Sequence, residues 1–149
     1  MIYSKPCEYA IRAVTFLARY PGGGAPGTVI AEGEGLPAPV LGKVLQELAR
    51  KGLLESRRGP GGGFRLARRP QLITLRDVVA AIDGLDQFAE CAVGLAGCSD
   101  QSPCPLHDSW KVLRAQLMRY LEVTTLADMA AAVTTKNEKH QRRKGSRGA

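Results

Sequence analysis

The sequence predicts a mostly α-helical fold with one small β-hairpin: a winged helix-turn-helix followed by a long C-terminal dimerisation helix. Three observations carry this. Apolar residues recur at three- and four-residue spacing along several stretches. Two of those stretches are short and are joined by a tight turn at Leu36-Pro37. After them, two strand-like runs flank the turn sequence Gly59-Pro60-Gly61-Gly62, and such a run between alternating segments marks a hairpin.

The elements follow in order. Ser4 caps a first helix that begins near Lys5-Pro6, with Pro6 tolerated in the first turn. Ala10, Ala13, Val14, Leu17 and Ala18 form its apolar face, and Pro21-Gly22-Gly23-Gly24 ends it. Cys7 reads as a small helix-face residue, and Glu8 as a first-turn carboxylate favoured by the helix dipole. Thr28 is expected to cap a second helix over 29–34, closed by Gly35. The third helix starts near Ala38-Pro39 and stops at Gly52, burying Leu41, Val44, Leu45 and Leu48. As the second of a helix-turn-helix pair, it is the helix that enters a DNA major groove. The runs 53–58 and 63–68 then form the wing. Its glycines let bare backbone approach DNA, and Arg57 or Arg58 is placed to enter the minor groove. No Gly-Lys-Ser/Thr follows, so this is not a phosphate-binding loop of the nucleotide-hydrolase kind.

Thr74 caps a fourth helix that turns Leu75, Val78, Val79 and Ile82 inward and ends at Asp83-Gly84. Asp108 is expected to open a fifth helix, whose stripe of Trp110, Leu113, Leu117 and Tyr120 or Leu121 reads as core or as a dimer seam. Thr125-Leu126-Ala127-Asp128 caps a short final helix to about residue 133. The remainder, 134–149, is basic and poor in apolar residues and is expected to be disordered, with His140 a bystander.

Between the fourth and fifth helices lie three of the four cysteines and one of the two histidines. Six residues separate Cys91 from Cys98, five separate Cys98 from Cys104, and two separate Cys104 from His107. Gly94, Gly97, Pro103 and Pro105 keep the segment a loop, so several side chains can turn toward one point. Thiolates with an imidazole suit an iron–sulfur cluster or zinc. Clustered cysteines in a chain with no membrane-length apolar run and no secretory leader favour metal or redox work in the cytoplasm over structural disulfides.

Charge agrees with a polyanion partner. The net charge is +7, of which residues 136–147 account for +5. Residues 50–69, within the folded part, carry a net +6, a dense patch of the kind that binds nucleic acid. No nucleophile–base pair and no paired carboxylates stand in a readable motif, so an enzyme is not expected.

Several sequence features together resemble one family. They are Tyr9-Ala-Ile-Arg-Ala13, Leu45-Gln46-Glu47-Leu48 before Lys51-Gly52-Leu53, Arg58-Gly-Pro-Gly-Gly-Gly63, Ile73-Thr74-Leu75, the cysteine loop, Trp110 and Thr125-Leu126-Ala127-Asp128. Over residues 1–133 the chain resembles the Rrf-two family of bacterial winged-helix transcription regulators. That family includes iron–sulfur-cluster assembly regulators and nitric-oxide-sensitive repressors. The resemblance implies that Cys91, Cys98 and Cys104 are cluster ligands. The assembly regulators use a histidine after the third cysteine, which His107 matches. The nitric-oxide sensors use an acidic residue on the first helix, supplied by the partner subunit, which Glu8 approximately matches. The expected cofactor is an iron–sulfur cluster, two-iron [2Fe-2S] in preference to four-iron [4Fe-4S]. The first cysteine gap is one residue longer than the family's. The recognition helix presents Ala38, Pro39, Val40 and Gly42, with Lys43 and Gln46 as its main polar residues.

The expected organisation is a DNA-binding domain over 1–84, a cluster-binding loop over 85–107, dimerisation helices over 108–133 and a tail over 134–149. DNA contacts are expected from Thr28, Pro39, Val40, Lys43, Gln46, Arg57, Arg58, Gly59, Gly61 and Gly62. Dimer contacts are expected from Trp110, Leu113, Leu117 and Leu121. The leading expectation is a homodimeric regulator that binds a near-palindromic operator under control of the cluster. The alternatives are a clusterless regulator with a thiol–disulfide switch and a zinc-stabilised interaction module.

Overall fold

The computed structural model describes residues 2–145. Six helices and a small antiparallel sheet follow in the order α1 (Lys5–Arg19), β1 (Gly24–Ala25), α2 (Gly27–Glu34), α3 (Ala38–Arg50), β2 (Leu54–Arg57), β3 (Gly63–Leu66), α4 (Leu75–Ile82), α5 (His107–Val123) and α6 (Leu126–Gly145). Single 3-10 turns precede α4 and follow it. This is the winged helix-turn-helix that the sequence predicts.

Local chemistry sets most helix ends. The Ser4 hydroxyl accepts from the Cys7 amide at the start of α1. Thr74 and Asp77 form a reciprocal capping box at α4, which satisfies two amides that the helix itself cannot. Gly35 takes a left-handed φ of 63° and closes α2. Two starts differ from expectation. Thr28 lies inside α2 rather than capping it, because Pro26 occupies the cap position with an extended backbone and no side-chain acceptor. The fifth helix begins one residue early, so His107 opens α5 instead of closing the loop.

The wing is a three-stranded sheet in the order β1-β3-β2, not a two-stranded hairpin. Gly24 pairs with Arg65 and Ala25 with Phe64, while β2 pairs with β3 from Leu54–Leu66 to Arg57–Gly63. Two residues are too few to show the alternation that marks a strand. Gly63 makes the extra pairing possible: its φ is +138°, and a Cβ there would lie 2.5 Å from the Ala25 carbonyl oxygen.

One core lies among α1, α2, α3 and the base of the wing, built on Val14, Leu17, Ile30, Leu41, Leu45 and Leu48, all fully buried. A second, smaller core joins Cys7, Leu75, Val79, Phe88 and Leu121. Leu121 is 0% exposed. The predicted dimer stripe therefore divides: Leu121 packs into the chain's own core with Leu117 against it, while Leu113 is 56% exposed. The 3.6-residue period that puts these side chains on neighbouring faces does not say which face meets which partner.

The start of α1 is tied to the end of α4 by Ser4, whose amide and hydroxyl both donate to Asp83. The start of α4 is tied to the α5–α6 junction by a short antiparallel bridge between Thr74 and Thr125. In it Leu75 N–H donates to Thr124 O at 2.8 Å and Leu126 N–H to Ile73 O at 2.9 Å.

The expected disordered tail is not seen over 134–145, where α6 continues to Gly145; residues 146–149 lie outside the described residues. No proline or glycine interrupts 126–144, and Lys, Glu, Gln and Arg are good helix formers. A helix nucleated by the packed first turns can therefore continue without an apolar face. Among the described residues no helix is long and apolar enough to cross a membrane.

Candidate nucleic-acid interface and cysteine loop

With Leu41, Val44, Leu45 and Leu48 turned into the core, α3 exposes Pro39, Val40, Lys43 and Gln46. Gly42 lies in the same shallow recess, and a Cβ there would touch nothing within 4 Å. Its absence is not required by packing and leaves the helix backbone bare on this face. Beside it, Thr28, Gly42, Arg57, Gly59, Gly61 and Gly62 line one recess between the helices and the wing. The start of α2 opens there with no side-chain cap, so its amides and dipole favour an anion. Arg57, Arg58 and Lys43 are exposed and have no ion-pair partner among the described residues. Arg50 differs, with Nε 2.9 Å from Glu47; this pair partly neutralises that end of α3. Uncompensated cations next to bare backbone suit a duplex phosphate track. Sequence reasoning missed the open start of α2 because it placed the cap on Thr28.

The cysteine loop is anchored at its first end by Phe88, which is buried, and by α5. Trp110 Nε1 donates to Glu90 O at 2.9 Å, and Arg114 donates to Ala89 O at 3.3 Å. The Trp110 indole N–H is thus committed to the loop. At the second end His107 N–H donates to Cys104 O at 3.0 Å. Cys91, Cys104 and His107 are buried, and Cys98 is half-buried. The donors meet in pairs. Cys91 and Cys104 lie near enough for each thiol to shift the other's pKa, and Cys98 Sγ lies 3.5 Å from His107 Nδ1. Backbone amides of Val93 and Leu95 lower the Cys91 pKa, while burial raises that of Cys104. His107 Nε2 lies 2.8 Å from Asp100 Oδ1, and Lys111 Nζ bonds the same carboxylate. Lys111 and then His107 hold the Asp100 carboxyl down at about 2. Neither Asp100 nor Lys111 was legible as part of the site, since neither belongs to a motif of fixed spacing.

Among the described residues no three Cys, His, Asp or Glu side chains surround a single point that could hold a metal ion. A two-iron cluster makes a different demand, two protein ligands on each iron. Cys98 beside His107, with Cys91 and Cys104 as a second neighbouring pair, fits that donor set. Cys7 lies elsewhere: it is 0% exposed, and burial, then Asp83, push its thiol up to about 12. Glu8 pairs with Lys5 of its own helix at 2.8 Å.

The family model described as an iron-dependent transcriptional regulator, Rrf2, matches residues 3–132. The chain belongs to the Rrf2 family. It is similar to the HTH-type transcriptional regulator IscR of Aliivibrio salmonicida, 30% identical over 123 residues, covering 82% of this chain and 73% of that one. Among solved structures it is similar to T. potens IscR, with a TM-score of 0.69, 27% identity and coverage of 89% and 88%. CymR, the global cysteine regulator of B. subtilis, shares the fold with a TM-score of 0.76, 24% identity and coverage of 89% and 98%. As an Rrf2-family member the chain is a DNA-binding transcription regulator and not an enzyme.

Proposed function

We propose that this chain is a cytoplasmic homodimeric regulator whose operator binding is governed by a two-iron iron–sulfur cluster held by Cys91, Cys98, Cys104 and His107. The observation that carries the reading is Cys98 Sγ 3.5 Å from His107 Nδ1 at the start of α5, with Cys91 and Cys104 close enough to influence each other's pKa. Bound there, such a cluster supplies a centre sensitive to redox state, nitric oxide or iron–sulfur supply. The rest is work for the chain's own residues. Lys43 and Gln46 on α3 reach base edges, and Pro39 and Val40 add apolar contact. Arg57, Arg58 and the amides of Gly59, Gly61 and Gly62, with Thr28, hold the phosphates. The exposed side of α5, with Val112, Leu113, Tyr120 and Val123, forms the two-fold seam. His107 stands on the same helix, so its link to the loop cysteines sets how α5 sits against the winged domain. That in turn sets the spacing of two recognition helices on half-sites about 34 Å apart.

The test begins with iron and acid-labile sulfide analysis of anaerobically purified protein. Holo, oxidised and metal-free protein are then titrated onto one near-palindromic operator at fixed salt. A brown protein whose three states differ in affinity supports the reading; equal affinities sink it. A second reading, a clusterless thiol switch, is favoured by the closeness of Cys91 and Cys104, each of which shifts the other's pKa. A thiol–disulfide oxidant would join the two sulfurs, taking up two electrons while two protons leave. A colourless, metal-free protein with an oxidant-sensitive operator affinity would establish that reading, and a colourless one with bound zinc would point to the interaction module.

A further inference from the structure

His107 is 5% exposed, and both of its ring nitrogens are engaged. Nδ1 lies 3.5 Å from Cys98 Sγ and Nε2 lies 2.8 Å from Asp100 Oδ1. A neutral imidazole has one N–H donor and one bare nitrogen, and an ionised carboxylate only accepts. The proton therefore belongs on Nε2, and the lone pair on Nδ1 is aimed at the cysteine side. Asp100 would be a poor anchor alone, because it stands on an exposed part of the loop. It is fixed from the other side: Lys111 Nζ bonds its two oxygens at 2.8 and 3.1 Å. Lys111 follows His107 by four positions on α5, so both side chains lie on one face of the helix. The loop carboxylate sits between them.

We propose that Asp100, clamped by Lys111, is a positioning residue that fixes the His107 tautomer and turns its bare Nδ1 toward Cys98, as the nitrogen that would take the iron. This rests on the cluster reading of the proposed function. Carboxylates that accept from the far nitrogen of a ligand histidine hold its ring and its tautomer, and removing one typically costs about 10- to 100-fold in metal affinity. Among the described residues Glu8 has no comparable arrangement; it pairs with Lys5 on the same turn.

The experiment uses the full chain labelled with 15N-histidine, as wild type, Asp100→Ala, Asp100→Asn, Lys111→Met and His107→Ala. On metal-free protein, long-range 1H–15N spectra read the His107 tautomer. The proton is expected on Nε2 in wild type and in Asp100→Asn, whose amide oxygen still accepts, and a mixed population is expected in Asp100→Ala. On anaerobically purified protein, pulsed EPR of the reduced cluster reads the ligand nitrogen. Chelator challenge reads retention of iron. Histidine coupling should be present in wild type, vanish in His107→Ala and survive in Asp100→Asn. Iron loss should be about 10- to 100-fold faster in Asp100→Ala, and Lys111→Met should fall between it and wild type. Absence of iron and sulfide from wild type overturns the cluster reading itself. A cluster with unchanged histidine coupling and unchanged iron loss in Asp100→Ala overturns only the role of Asp100, as does an Nδ1–H tautomer in wild type. Histidine coupling that persists in His107→Ala removes His107 as the ligand.

Discussion

Cys7 and Cys91 are the same residue type in opposite surroundings. Burial holds the Cys7 thiol neutral, its pKa pushed up to about 12 with help from Asp83, whereas backbone amides favour the thiolate of Cys91. A thiol whose folded pKa is raised contributes stability below its unfolded range, and that stability is lost as pH climbs from 9.0 toward about 12. In metal-free protein near neutral pH, iodoacetamide should therefore modify Cys91 before Cys7, with Cys7 labelled only after denaturation. Peptide mapping that finds both labelled at the same rate in native buffer would contradict this. Gly42 offers a second test at this scale. Replacing it with Ala should stabilise α3 by about 1 kcal/mol, the usual helix gain, because the added methyl meets nothing. The same methyl should weaken operator binding; a variant with a raised Tm and unchanged affinity would mean that the bare backbone does not approach DNA. The caps at Ser4 and Thr74 were legible because a short polar side chain before an apolar helix has one physical use there. The roles of Asp100 and Lys111 were not, since a loop carboxylate finds its partner only after the chain has folded.

At the scale of elements, the ends that depend on local hydrogen bonds were readable and those that depend on distant ones were not. β1 exists only because β3 offers Phe64 and Arg65 as partners. α6 outruns its expected length because its last turns need only helix-forming residues, not a core. Its first turn rests on Asp128, which accepts from the amide and hydroxyl of Thr125 at 3.0 and 2.8 Å. Those bonds lower the Asp128 pKa. Their contribution is present above the ordinary carboxylate range and is lost as pH falls below it. Protection of the Thr125 amide should decline on acidification below about pH 4. Asp128→Asn should remove that pH dependence, and a wild-type amide insensitive to acid would refute the assignment. For the wing, Arg57→Ala and Arg58→Ala should each reduce the salt slope of operator binding by about 1, as expected when a phosphate contact is removed. Electrophoretic titration at several salt concentrations measures this, and an unchanged slope removes that arginine from the interface.

At the scale of the molecule, the division of α5 predicts different fates for two leucines. Leu113→Asp should yield a folded monomer by sedimentation with native far-ultraviolet dichroism, because Leu113 is 56% exposed. Leu121→Asp should unfold the chain, since it buries an unpaired charge in the second core. A dimer that persists in Leu113→Asp moves the seam elsewhere. The bridge between Thr74 and Thr125 has its own consequence. It closes residues 75–124 into a lasso fastened at the neck by two amides, those of Leu75 and Leu126. Those amides should exchange hydrogen for deuterium only when the neck opens, on a far slower clock than the amides of the cysteine loop. The neck thus records how far a disturbance in the loop travels: one confined to the lasso quickens exchange within it, and one that reaches the α4–α6 junction also releases Leu75 and Leu126.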